Sequence, residues 1–193
     1  MLSRLVSVVA CVTAALALGA CGGGDDGPAA GGQSTPSTQS RSPEPVVTAP
    51  ARTTSTISPI EGVQTYAVEA AHSEASLTYP QVPPVGGIHN PVWQQCAFYP
   101  APVPSEKAVH SLEHGAVWIT YRPDLPQGEI DSLADLARAR KLVLVSRWDS
   151  GLPSPVVATA WGRQLLLQSA ADPRLMEFVR LYVNKGPEID APC

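Results

Sequence analysis

Residues 110–123 read "HSLEHGAVWITYRP", and the order of residue types inside this stretch decides the fold. The first half carries two histidines four apart, with Glu113 against the second. Gly115 follows directly, and a glycine past the last helical residue is the commonest way to stop a helix. The second half, from Ala116 to Arg122, is β-branched and aromatic, which is strand composition. The stretch is therefore a helix end turning straight into a strand. The upstream run "EKAVHSLEH" completes the helix, with Ser105 in position to cap it.

Working outward gives the remaining elements. "QGEIDSLADLARARK" places Ile130, Leu133, Leu136 and Ala137 at helical spacing. "LVLVSRW" and "PVVATAWG" are short apolar runs of strand length, the second closed by Gly162. "DPRLMEFVRLYVNKG" opens with Asp172 as cap and Pro173 in the first turn, and Gly186 marks its expected end. Leu175, Phe178, Val179 and Tyr182 form its apolar stripe. Upstream, "VQTYAVEA" and "EASLTYP" are two strands around His72. Seven prolines between Pro80 and Pro104 predict an extended surface loop there. The order β-α-β-β-α predicts an α+β domain: a small mixed or antiparallel sheet with helices packed on one face.

The amino terminus has a different composition. Arg4 is the only early charge, and Leu5 to Ala20 is uncharged and apolar or small. That run is short for a membrane span and suits a signal-peptide apolar region. It ends in "LGAC", a lipobox, so residues 1–20 are expected to be a lipoprotein signal peptide and Cys21 its lipidation site. Each buried acyl methylene adds about 0.8 kcal/mol of membrane affinity. The expected location is the cell membrane, lipid-anchored on its extracytoplasmic face. Residues 21–59 are rich in Gly, Ser, Thr, Pro and Ala and poor in large apolar side chains. Such a segment buries too little surface to offset its ordering entropy and reads as a disordered linker. The single globular domain is then 60–193.

Export sets the redox context. Of four cysteines, Cys11 leaves with the signal and Cys21 is acylated, which leaves Cys96 and Cys193 as a pair for a disulfide. The net charge is −4, and residues from Ile60 onward hold ten basic and fourteen acidic side chains. That balance is the opposite of a nucleic-acid footprint. The membrane is the expected partner, through the lipid, and a protein partner in the cell envelope is open.

The chemistry-bearing residues are the histidines. All four, His72, His89, His110 and His114, fall within 43 residues. His110 and His114 share one helical face with Cβ atoms about 6 Å apart, close enough for both imidazoles to reach one ion. His89 lies in "PPVGGIHNP", where Gly86 and Gly87 permit a tight backbone. It offers a third ligand, and His72 a fourth ligand or an orienting group. Imidazoles in an exported protein suit copper(II) or zinc(II). Glu113 is a ligand, a base or an orienting carboxylate. Two competing readings use the same residues. In a metal-dependent hydrolase of the H-x-x-E-H type, Glu113 activates water and a downstream carboxylate, Glu177 or Glu188, completes the site. In a metal-free envelope interaction module the histidines are structural. Ser111 has no nucleophile elbow around it, the cysteines form no C-x-x-C, and no phosphate-binding glycine loop is present. Trp118, Trp148 and Trp161 read as core or core-rim residues.

The blocks "YPQVPPVGGIHNPVWQQCAFY", "VPSEKAVHSLEHGAVWITYRP", "TAWGR" and the closing "PE…PC" resemble an exported bacterial family known as domain of unknown function 3105. The resemblance runs from about Glu61 to Cys193. It implies that His72, His89, His110, His114 and Glu113 are the residues the family pattern holds, and that members are anchored or secreted. It implies no reaction.

Overall fold

The computed structural model describes residues 58–193, together with two short upstream strands, β1 (Val47–Thr48) and β2 (Arg52–Thr53). The expected signal peptide, the expected lipidation site Cys21 and most of the expected linker lie outside the described residues. Four two- to four-residue strands come next: β3 (Gln64–Ala67), β4 (Ala71–His72), β5 (Leu77–Thr78) and β6 (Ile88–His89). They are followed by β7 (Phe98–Tyr99), α1 (Ser105–Glu113), β8 (Val117–Tyr121), α2 (Gln127–Ala139) and β9 (Val143–Arg147). The chain closes with β10 (Val156–Ala160), β11 (Arg163–Leu167) and α3 (Pro173–Tyr182).

The main sheet runs β2-β3-β11-β10-β8-β9-β7. Its β7, β8 and β9 are parallel, and its β3, β11, β10 and β8 are antiparallel. This is the expected α+β class with a mixed sheet. One strand goes beyond the expected order: β11 begins with Arg163 and Gln164, and this polar start hides the "LLL" that follows. Its partner β10 reaches it through the two residues Trp161 and Gly162, with Ala160 opposite Arg163. Gly162 has φ +65° and packs on the Tyr66 carbonyl, so this turn requires glycine.

The helices divide between the two faces. Leu133 and Ala137 of α2, and Leu175, Phe178 and Val179 of α3, pack with Val117, Ile119, Val143, Val145, Ala158 and Leu165. Ala108 and Leu112 of α1 pack with Trp118 and Leu144, whose side chains leave the same strands on the other side. Only α2 and α3 therefore share a face, as expected; α1 covers the opposite one. Connection handedness gives the reason. From edge strand β7 through α1 to β8 the chain steps inward past β9, and from β8 through α2 it steps back outward to β9. Right-handed crossovers in opposite directions place their helices on opposite faces. Covered on both sides, β8 and β10 are buried at every residue.

The proline-rich segment also departs from expectation. Pro83 to Gly87 is buried rather than on the surface, and the segment contributes β6 and β7. Backbone and side-chain hydrogen bonds replace regular structure there. Gln164 Nε2 donates to the Pro83 carbonyl at 2.9 Å, and Gly162 N donates to the Val85 carbonyl at 2.7 Å. Helix ends differ in detail too. Asp172 caps α3 by accepting from Arg174 N, as read. Pro104, without a side-chain bond, occupies the cap position of α1, and Ser105 is its first helical residue. The third helix stops at Tyr182, ahead of Gly186.

Gly186 serves the chain beyond that helix. Residues 184–193 form a strap over the end of α1. Asn184 N donates to Gly115 O at 2.7 Å and Glu188 N donates to Glu113 O at 3.0 Å. A Cβ on Gly186 would collide with the Glu113 carbonyl, and one on Gly115, where φ is +87°, would sit 2.7 Å from Asn184 Cα. The Cys96–Cys193 disulfide fixes the strap's last residue, with Cα atoms 5.0 Å apart. The expected pairing is the one formed.

Candidate metal centre

Four separate segments bring the histidines together. Strands β4 and β6 pair in parallel with His72 opposite His89. The last turn of α1 supplies His110, Glu113 and, as its cap residue, His114. The strap supplies Glu188. Six of the nine α1 residues are buried, so its polar side chains must find partners inside the protein. Ser111 shows how: its hydroxyl donates to Gln94 O at 2.6 Å and accepts from Gln94 N at 3.0 Å. It clamps the loop that follows β6 and is not arranged as a nucleophile.

Three imidazoles are pinned in the same way. His89 Nδ1 donates to Gly87 O at 2.7 Å, His110 Nδ1 to Asn90 O at 2.7 Å, and His114 Nδ1 to Pro192 O at 2.6 Å. A carbonyl can only accept, so each Nδ1 carries the hydrogen. In the neutral ring the Nε2 atom is then a bare lone pair. These Nε2 atoms face one another and Glu113. His89 Nε2 lies 2.9 Å, His72 Nε2 3.3 Å and His110 Nε2 3.9 Å from Glu113 Oε2. His110 Nε2 lies 3.0 Å from His114 Nε2, and His114 Nε2 lies 3.5 Å from Glu188 Oε2. With the three pinned rings neutral, the Nε2 atoms of His89, His110 and His114 are acceptors pointing at acceptors, which is repulsive without a cation between them. Burial holds the His110 imidazole below its ordinary pKa. The Asn90 carbonyl opposes that shift, His114 and His89 add to it, and Glu113 opposes it.

The four atoms of His72, His89, His110 and Glu113 all lie within 4.8 Å of one another, and Glu113, His114 and Glu188 form a second such group. All four expected histidines therefore reach the cluster, with His114 in the second group beside the first. Glu177 is in neither; it is exposed on α3. His89 is fully buried and Glu113, His110 and His114 nearly so, whereas the His72 side chain is 47% exposed. The indole of Trp161 meets His89 edge-on at 5.9 Å, and half-exposed Trp93 covers His110 and His114 at 6.1 and 5.5 Å. The Trp118 side chain is buried on the α1 face and donates to Ser146 Oγ, a core role.

From the sequence, Glu188 has a place only as an alternative ligand in a hydrolase, and Trp93 has none. Glu188 is five residues from Cys193, and Trp93 is three from Cys96. The disulfide that joins those cysteines was the signal that brings both to the histidines.

Comparison with protein families matches residues 71–193 to a protein family of unknown function, DUF3105. The match spans most of the chain and the whole cluster, and the chain belongs to that family. Comparison with curated proteins and with solved structures returns no match.

Proposed function

We propose that this DUF3105 member is a lipid-anchored extracytoplasmic domain that binds a divalent transition metal, copper(II) or zinc(II). Its role is in trafficking, storage or structure. The observation that carries the reading is the orientation of the rings. Histidines that bind metal through Nε2 characteristically donate Nδ1–H to a carbonyl or carboxylate, which fixes ring and tautomer. His89, His110 and His114 all do so. Imidazole and carboxylate together suit zinc(II) or copper(II). The disulfide takes Cys96 and Cys193 out of the donor set and fits an oxidising compartment. The lipobox at Cys21 supports the anchor.

Glu113 belongs to the donor set in this reading. A hydrolase base must face bound water, but Glu113 Oε2 contacts His89 and His72 at 2.9 and 3.3 Å. The metal-free module accounts for each pinned Nδ1–H but leaves the facing Nε2 lone pairs unexplained.

The test is elemental analysis of the purified full chain, followed by calorimetric titration of the chelator-stripped protein with Zn(II) and Cu(II). At least one tightly bound equivalent is expected, with affinity lost in His89→Ala and His110→Ala. A parent protein that binds neither metal above background would sink the proposal.

A further inference from the structure

The cluster holds six donor side chains, and a four-coordinate ion uses four. Their arrangement is not one shell. His72, His89 and His110 converge on Glu113, while His114 belongs with Glu113 and Glu188. Ligand atoms around one tetrahedral ion with bonds near 2.0–2.1 Å sit about 3.3 Å apart. The pairs His72–Glu113 at 3.3 Å and His114–Glu188 at 3.5 Å each have that spacing, but they belong to different groups.

Resting on the metal reading above, we infer that the site is built for two cations. His72, His89 and His110 hold one, His114 and Glu188 hold the other, and the Glu113 carboxylate is shared between them.

The second position stands on its own observations. His114 is nearly buried, its Nδ1–H is committed to Pro192 O, and its Nε2 points only at acceptors, His110 Nε2 and Glu188 Oε2. A cation there turns the His114–Glu188 repulsion into two bonds, while the first cation engages the His110 lone pair. Glu113 has two oxygens, so one carboxylate can serve both ions. Paired metal sites of this kind hold their ions about 3.5–4 Å apart. The His72 side chain is 47% exposed and the Glu188 side chain 54% exposed, so each group has one member open to water. Solvent can complete each coordination shell and offset the remaining positive charge. The second position depends on the strap: Glu188 is carried by it, and Pro192 orients His114. The first position uses no strap residue. The ligand class at both is a borderline-soft divalent cation, with zinc(II) as the probe.

The experiment is calorimetric titration of the chelator-stripped full chain with Zn(II), repeated on Glu188→Gln, His114→Ala and His89→Ala. Circular dichroism and thermal unfolding of each metal-free variant check its fold. Glu188 is exposed, so its variant does not threaten folding. Two equivalents are expected for the parent and one for Glu188→Gln and His114→Ala. The remaining dissociation constant should stay within about threefold of the parent's tighter site. The His89→Ala variant should weaken the tighter site at least tenfold. One equivalent in the parent, or two that survive both Glu188→Gln and His114→Ala, overturns the two-cation arrangement and leaves the first site standing. No binding in the parent overturns the underlying metal reading instead.

Discussion

Cutting the strap loose has a consequence whose size follows from the structure. The Cys96–Cys193 bridge spans a sequence separation of 97 residues. On the chain-entropy account, a closed loop of that length stabilises the fold by roughly 4–5 kcal/mol, because it restricts the unfolded chain. Domains of this size have about 5–15 kcal/mol in all. The double variant Cys96→Ser/Cys193→Ser, which avoids mispairing, should therefore lose about 4 kcal/mol. The melting temperature should fall by on the order of 10–20 °C. The native contacts of the strap at Asn184 and Glu188 do not depend on the sulfurs, so the folded state should keep its secondary structure. The assay is guanidinium unfolding followed by tryptophan fluorescence, since Trp118 and Trp148 pack in the same cluster as Cys96. A loss below about 1 kcal/mol would refute the reasoning and mean that the bridge adds nothing the strap's hydrogen bonds do not already supply.

Gly115→Ala forces a side chain into the left-handed region and against the Asn184 backbone, so a loss of at least about 2 kcal/mol is expected by thermal unfolding. Gly128→Ala is the control: nothing lies within 4 Å and the residue is helical, so it should be neutral or stabilise by up to about 1 kcal/mol. His72→Ala should weaken Zn(II) binding at least tenfold in calorimetry while changing metal-free stability by under about 0.5 kcal/mol, because the side chain is half exposed. Asp172→Ala removes the cap of α3 and should cost about 1 kcal/mol at neutral pH. The side-chain bond from Arg174 holds the Asp172 carboxyl below its ordinary pKa. Its contribution is therefore full above the unfolded value near 4 and fades as pH falls through the lower folded value. Denaturation curves of parent and variant should converge in acid; a gap that widens there contradicts this assignment.

Local chemistry made much of the fold legible. Gly115 between His114 and Ala116 marked a helix turning into a strand, and Asp172-Pro173 marked a helix start, because caps and turns act over a few residues. Elimination identified the disulfide. What stayed hidden was decided at long range. The face covered by α1 depends on β7, a two-residue strand that carries no pattern of its own and lies among prolines. The burial of Pro83 to Gly87 depends on bonds from Gln164 and Gly162, some 80 residues away. At the site, periodicity paired His110 with His114 on one helix face. The division between them comes from β4, β6 and the strap, which approach that face from different sides. Glu188 enters on the strap, whose return to α1 is marked in the sequence only by the pairing of Cys193 with Cys96.

The most direct measurement is X-ray absorption at the zinc edge of the Zn(II)-loaded full chain. The account predicts a first shell of nitrogen and oxygen near 2.0–2.1 Å, with outer-shell scattering from several imidazoles that diminishes in His89→Ala. A sulfur shell near 2.3 Å, or a nitrogen/oxygen shell without imidazole scattering, would place the metal elsewhere and contradict it.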